Sequence, residues 1–183
     1  MTGCRTMEPG SLVAGVSRVR VTGSSGGSLQ DLYEAAYPRL VGVVGAVARD
    51  RHEAEEAVQD AFVRLMGCWD AVSRYDDPEA WVRKVALGFL SNRRRKTRNG
   101  LRAVLRLGPS ADVPAASGDA VDMRRALASL PLAQRQCVVL QAAGLDLASI
   151  ARELDVPEGT VKSRLFRARA ALTPLLREDP ADA

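Results

Sequence analysis

The 183-residue chain is poor in aromatics, histidine and cysteine. Aromatic residues make up 4% of it, so any core must be mostly aliphatic. Its single histidine, His52, stands between Arg51 and Glu53 and reads as a solvated surface residue. One imidazole without partners builds neither a catalytic triad nor a metalloenzyme centre. The three cysteines, Cys4, Cys68 and Cys137, are odd in number, far apart and form no CxxC pair. That excludes a disulfide framework and a zinc site. Cys68 and Cys137 lie among apolar residues and read as small core-facing hydrophobes. No apolar run approaches the roughly 20 residues that span a bilayer, and the first residues lack the apolar core of a secretory leader. The expectation is a cytoplasmic protein without membrane insertion. A phosphate loop and a nucleophile elbow are also missing. No catalytic residue, metal, cofactor or small-molecule substrate is therefore expected, and the chain does not read as an enzyme.

Hydrophobic residues supply 46% of the chain and charged residues 26%, the balance of a globular protein. Alanine, leucine, valine and arginine dominate, which favours helix over sheet. The net charge is +4 and the sequence pI about 9.3, a weak pointer to nucleic acid until the charges are placed. Residues 1–27 are rich in glycine, serine and threonine and read as a disordered extension. Order is expected from Ser28, which with Asp31 resembles a capping box. Leu29, Leu32, Tyr33, Ala36, Leu40, Val43, Val44 and Val47 follow at helical spacing, with Pro38 expected to kink the helix. A second helix is expected over 52–69, with Ala54, Ala57, Val58, Ala61, Phe62, Leu65, Met66 and Trp69 on one face. A loop covers 70–77. Asp77-Pro78-Glu79 then combines an N-cap, a first-turn proline and an acid at the positive end of the helix dipole, a strong start for a third helix. That helix points Trp81, Val85, Phe89 and Leu90 inward. It runs into Arg93, Arg94, Arg95, Lys96, Arg98, Arg102 and Arg106, seven bases with no acid between them.

Residues 108–118 are a Pro/Ala/Ser/Gly linker and a domain boundary. Beyond it, helices are expected over 120–129, 132–143, 148–154 and 158–172, separated by Pro131, Gly144 and Pro157. The run LASIARELDVPEGTVKSRLFRARAAL, residues 147–172, has the form of a DNA-binding helix-turn-helix. Ala151 is small where the helices cross, and Ile150, Leu154, Val161 and Leu165 supply the shared apolar contact. Asp155 occupies the turn position where glycine is commonest; aspartate tolerates left-handed backbone better than most residues. At 100° per residue, Val161, Leu165, Ala168 and Leu172 form the inward stripe. Gly159, Ser163, Phe166, Arg167 and Ala170 face outward, flanked by Lys162 and Arg164. A basic outer face with small residues near its start suits the major groove, where side chains read base edges and arginines hold phosphate.

These residues resemble the extracytoplasmic-function sigma factors of the sigma-70 family. The resemblance in the second domain rests on Leu130-Pro131, Gln134-Arg135, Gly144-Leu145, Ile150-Ala151 and the run from Pro157-Glu158-Gly159-Thr160 through Val161-Lys162-Ser163-Arg164 to Leu165-Phe166-Arg167-Ala168-Arg169. In the first domain, the stretch from Ala54-Glu55-Glu56 to Gln59-Asp60-Ala61-Phe62 resembles the family's polymerase-binding helix. Residues 77–86 resemble the segment leading into its −10-reading helix. Trp69-Asp70 with Ser91-Asn92-Arg93-Arg94-Arg95 resembles the actinobacterial SigE-like subgroup. The resemblance spans about residues 29–176.

The resemblance implies a factor that binds core RNA polymerase and promoter DNA, and one that an anti-sigma factor can hold. It implies polymerase contacts at Glu55, Glu56, Gln59 and Asp60. It implies capture of an unstacked −10 base by the loop 71–77, with Arg74 and Tyr75 as candidates. Asn92, Arg93, Arg94, Arg95 and Lys96 then follow the DNA backbone. In the −35 element, Lys162, Ser163 and Arg167 are candidates for base contact and Arg164 and Arg169 for phosphate; Thr160 and Phe166 complete the set. The expected architecture is all-α: two small helical domains, 28–107 and 119–177, joined by a flexible linker, 108–118, with a disordered tail over 178–183. The alternative is a conventional helix-turn-helix regulator that binds an operator without polymerase.

Overall fold

The computed structural model describes residues 27–100 and 118–175. All described regular structure is helical, in two bundles. The N-terminal extension, the tail, and the linker up to its last residue, Gly118, lie outside the described residues, as do Arg102 and Arg106.

Helix α1 (Leu29–Ala48) opens on Ser28. The Ser28 side chain accepts from the Asp31 backbone N–H, and the Asp31 carboxylate accepts from Ser28, which completes the expected capping box. The helix ends at Arg49 in the left-handed region, φ 65°. One residue later Asp50 caps α2 (Arg51–Met66), accepting from the backbone N–H groups of His52 and Glu53. So short a turn folds α1 and α2 into a helical hairpin. A short helix α3 (Trp69–Val72) follows, and then α4 (Pro78–Gly100). Asp77 caps α4 by accepting from the Ala80 N–H at 2.9 Å. Leu40, Val44, Val58, Leu65, Val82, Leu87 and Leu90 fill the space between α1, α2 and α4. Each large side chain so buried contributes about 1.5–3 kcal/mol.

The second bundle contains α5 (Gly118–Ser129), α6 (Leu132–Ala142), α7 (Leu147–Leu154) and α8 (Glu158–Leu175). Cys137, Leu140, Ile150, Val161 and Leu165 form its centre, and Ala126, Leu130, Ala168 and Leu172 a second patch under α5. Gly144, at φ +90°, turns the chain between α6 and α7.

Four expectations are corrected. The second helix stops at Met66 rather than Trp69, where the Gly67 N–H turns back onto Arg64 and Leu65 carbonyls. Met66 is 67% exposed instead of facing the core, because it lies at the edge of the stripe defined by Val58, Ala61 and Leu65. The stretch 70–77 is not all loop, since its first residues continue α3. Tyr33, expected inward, is half-exposed and packs tilted against Tyr37 and edge-to-face with Phe62, with centroids 4.9 Å away in each case.

The two bundles pack on one another. Helix α1 lies against α6 and α4 against α7, and a single apolar cluster runs through both. Buried Arg135 on α6 donates to the Val47 carbonyl of α1 at 2.8 Å, and also to Leu127 and Leu130 carbonyls. It thus caps helix ends in both bundles. Gln136 donates to Ser91 at 3.1 Å across the same seam.

Candidate nucleic-acid and polymerase interface

The α7–α8 unit has the expected helix-turn-helix geometry. Asp146 caps α7 by accepting from the Ser149 N–H at 2.8 Å. This hydrogen bond holds the Asp146 carboxyl below its ordinary range. Asp155 takes the left-handed conformation at φ 54°, and its N–H closes on the Ala151 carbonyl. Pro157 begins the turn into α8. Ile150, Ala151, Val161 and Leu165 are buried, fixing the helix crossing.

On the outer face of α8, Lys162, Phe166, Arg167 and Arg169 are exposed, Phe166 at 75%. Phe166 is a large apolar side chain set among bases, the chemistry that meets a thymine methyl. Thr160, Ser163 and Arg164 are half-buried. The Ser163 hydroxyl donates to the Thr160 carbonyl at 2.9 Å. Arg169 donates to Gln141 at 3.0 Å. Arg164 reaches back toward Cys137. Burial pushes the Cys137 thiol up, and the charge and hydrogen bonding of Arg164 oppose that rise. The seven α8 residues named from sequence therefore divide into a solvent-facing set and an inward-leaning set.

In the first bundle, Arg74 and Tyr75 are exposed just after α3. Trp81 is half-buried against the core. Asn92, Arg95 and Lys96 are exposed on α4. Arg93 and Arg94 are engaged elsewhere. Arg93 pairs with Glu56 and, at 2.6 Å, with Asp60. Burial opposes the Arg93 charge, but the hydrogen bonds it donates to both acids leave its pKa raised. Arg94 pairs with Glu53 at 2.8 Å and donates to the Ala48 carbonyl. The basic run thus does not present one uniform DNA face.

The same pairs tie up the acidic face of α2. Glu55 meets Arg51 at 2.7 Å, Glu56 also meets His52 at 3.2 Å, and Gln59 donates to the Tyr37 hydroxyl at 3.4 Å. One turn on, Val63 and Met66 are each 67% exposed. This apolar pair beside the acids escaped the sequence reading, although its i, i+3 spacing was visible.

The reading also missed Arg83 and Glu153. Arg83 on α4 donates to both Glu153 oxygens on α7, Nη2 to Oε1 at 2.6 Å and Nε to Oε2 at 2.9 Å. Burial works against the Arg83 charge, but Glu153 outweighs it and the pKa stays above its ordinary value. Lys84 donates to the Arg152 carbonyl at 2.9 Å beside them. Arg135 differs: among the described residues no carboxylate reaches it, and burial, with the charges of Arg49 and Arg94, lowers its pKa to about 10. It remains a cation at neutral pH, held by carbonyl oxygens.

Comparison with known proteins follows the two bundles. Residues 32–100 match the family model of sigma-70 region 2, and residues 120–172 match that of sigma-70 region 4. The ECF RNA polymerase sigma factor SigM of Mycobacterium tuberculosis is 34% identical over 155 residues, covering 81% of this chain and 77% of that protein. The ECF RNA polymerase sigma factor EcfG of Rhodopseudomonas palustris is 28% identical, over 85% of this chain and 88% of its own. Among solved structures, the sigma factor RpoE of Bartonella quintana, in complex with the anti-sigma factor NepR, superposes with a TM-score of 0.71. Its identity is 25%, over 82% of this chain and 97% of that one.

Proposed function

We infer, for a chain that belongs to the extracytoplasmic-function sigma factors of the sigma-70 family, that it binds core RNA polymerase and directs promoter-specific initiation. The observation that carries this reading is the presence of regions 2 and 4 in one chain, with a complete helix-turn-helix in the second. The family comprises transcription initiation factors. In this reading the protein selects the promoter and the polymerase performs the chemistry.

The residue assignments are our proposal. Lys162, Phe166 and Arg167 meet the −35 element, supported by their exposure on α8. Arg169 holds phosphate beside them. Thr160, Ser163 and Arg164 set the shape of the face. Arg74 and Tyr75 take an unstacked −10 base, and Asn92, Arg95 and Lys96 follow the backbone. The acids Glu55, Glu56 and Asp60, with Gln59, dock on the polymerase, and exposed Val63 and Met66 supply the apolar part of that contact. Arg93 and Arg94 join the DNA set once their acids are engaged. An anti-sigma partner, of the kind that accompanies the Bartonella protein, fits the same chain. The SigE-like kinship rests on Trp69-Asp70 and the Ser91–Arg95 run. No described helix is long and apolar enough to cross a membrane, and we place the protein in the cytoplasm, with the polymerase.

Transcription from a genomic template library with purified core polymerase tests the reading. Addition of this protein should produce a defined set of start sites. Start sites identical to those of core polymerase alone would contradict it.

A further inference from the structure

We propose that Gly88 is a gap in the solvent-facing side of α4, into which a deoxyribose of the separated −10 strand seats against the helix backbone. The identity of the strand rests on the sigma-factor reading; the gap does not.

Trp81, Val85, Gly88, Asn92 and Arg95 recur at spacings of 4, 3, 4 and 3. At about 100° per residue they fall in one stripe about 80° wide along α4. The other sides of the helix are occupied. Val82, Ala86, Leu87 and Leu90 are buried. Arg93 and Arg94 turn to acids on α2. Arg83 and Ser91 turn to Glu153 and Gln136 of the second bundle. On the stripe, Gly88, Asn92 and Arg95 are exposed, and Trp81 and Val85 are half-buried at its N-terminal end. Gly88 interrupts the stripe without an internal reason. It stands in the middle of a helix of 23 residues, where glycine is the least favourable residue apart from proline. Among the described residues, a Cβ added there would meet nothing within 4 Å, so no close packing calls for glycine. Gly45 on α1 differs, since its added Cβ would lie 3.8 Å from the Ala54 Cβ of the neighbouring helix. Nor is a turn made at Gly88, because α4 runs through it. What glycine supplies is access: the helix backbone is bare, and a partner comes closer by the depth of a side chain.

The neighbours say which partner fits. The stripe passes from Trp81 and Val85, across the gap, to an amide and a guanidinium. Helix rise places Asn92 about 6 Å and Arg95 about 10 Å beyond Gly88 along the axis. A single DNA strand offers the matching chemistry: an apolar sugar face for the bare backbone, and phosphate oxygens for Asn92 and Arg95. Exposed Arg95 and Lys96 give that end of the stripe the charge a phosphate requires. A side chain at position 88 would hold the strand off by a methyl group or more. The contacts at Asn92 and Arg95 would then lengthen together, beyond hydrogen-bond range.

The test uses the full chain in four forms: wild type, Gly88→Ala, Gly88→Leu and, as control, Gly42→Ala. Gly42 is exposed on α1, and an added Cβ there also meets nothing within 4 Å among the described residues. All three substitutions place a better helix former on an open helix surface, so each should melt about 1–4 °C above wild type. Function should move the opposite way at position 88 alone. With core polymerase, open-complex formation on a promoter should fall for Gly88→Ala and, by roughly tenfold or more, for Gly88→Leu. Gly42→Ala should match wild type. The free chain supplies a second readout at low salt, on a single-stranded oligothymidine. Gly88→Leu should bind it roughly tenfold more weakly with an unchanged salt slope, because no charge is removed. A Gly88→Leu chain that opens the promoter, or binds the oligonucleotide, as well as wild type does would overturn the proposal. So would Gly88 variants that melt below wild type, since the glycine would then serve the fold. A Gly42→Ala chain equally impaired would overturn it too, since the loss would not belong to this face of α4. If wild type yields no polymerase-dependent start sites, the sigma-factor reading fails, while the oligonucleotide comparison still decides the gap.

Discussion

Arg93 on α4 bridges Glu56 and Asp60 on α2, with its Nη2 2.6 Å from Asp60. One end of the basic run thereby rests on the face assigned to the polymerase. In the free chain, this arginine's charge is already compensated, whereas Arg95 and Lys96 are exposed. Each lysine or arginine that neutralises a phosphate adds about 0.7–0.9 to the salt slope of binding. Arg95→Ala or Lys96→Ala should lower the slope for non-specific DNA by about that amount, and Arg93→Ala by clearly less. A salt titration of DNA binding by the free protein checks this; equal losses would show that Arg93 already contacts DNA.

The exposed set on α8 makes a sharper demand. Arg167→Ala should cost about 1–3 kcal/mol at a −35 site and relax preference at one position. Ser163→Ala should change preference less, since its hydroxyl is committed to the Thr160 carbonyl. A series of single-base promoter variants, read with holoenzyme, separates the two.

Asp155 bends the helix-turn-helix in left-handed backbone, φ 54°. That conformation costs a side-chain-bearing residue roughly 1–2 kcal/mol, and glycine nothing. Because glycine also loses more chain entropy, Asp155→Gly should be neutral or stabilising by up to about 1 kcal/mol. Asp155→Val should destabilise. Chemical denaturation of the full chain measures both.

Asp146 gives a pH signature. Its carboxyl is lowered by the Ser149 N–H, so the folded state favours the charged form. That contribution is complete above the ordinary aspartate pKa of about 4 and is lost as the pH falls through the lower folded value. Asp146→Asn should melt lower than wild type at neutral pH, and the gap should close on acidification. A gap that does not vary with pH would remove the charge from the account.

Much of this was legible in the sequence because it was local. The capping box at Ser28, the Asp77-Pro78-Glu79 start and the 147–172 helix-turn-helix each lie within a few turns of chain, where periodicity and caps decide the outcome. Met66 was misplaced because a helical stripe has edges that periodicity does not resolve. Helix α3 was missed because four residues, Trp69 to Val72, carry no period. The α4–α7 seam was out of reach for another reason. Arg83 and Glu153 are 70 residues apart, and each has an opposite charge nearer in sequence, Glu79 and Arg152. Local charge pairing accounts for both residues, and only the packed bundles show that they meet.

The most direct measurement is a footprint on one promoter with this protein alone, core polymerase alone, and the two together. Two small readers, each with a modest contact surface, bind weakly until a scaffold fixes their separation and turns the second contact into a nearly intramolecular one. The account predicts no sequence-specific protection by either component alone, and joint protection of the −35 and −10 regions by the mixture. Strong protection of a palindromic site by this protein without polymerase would contradict it.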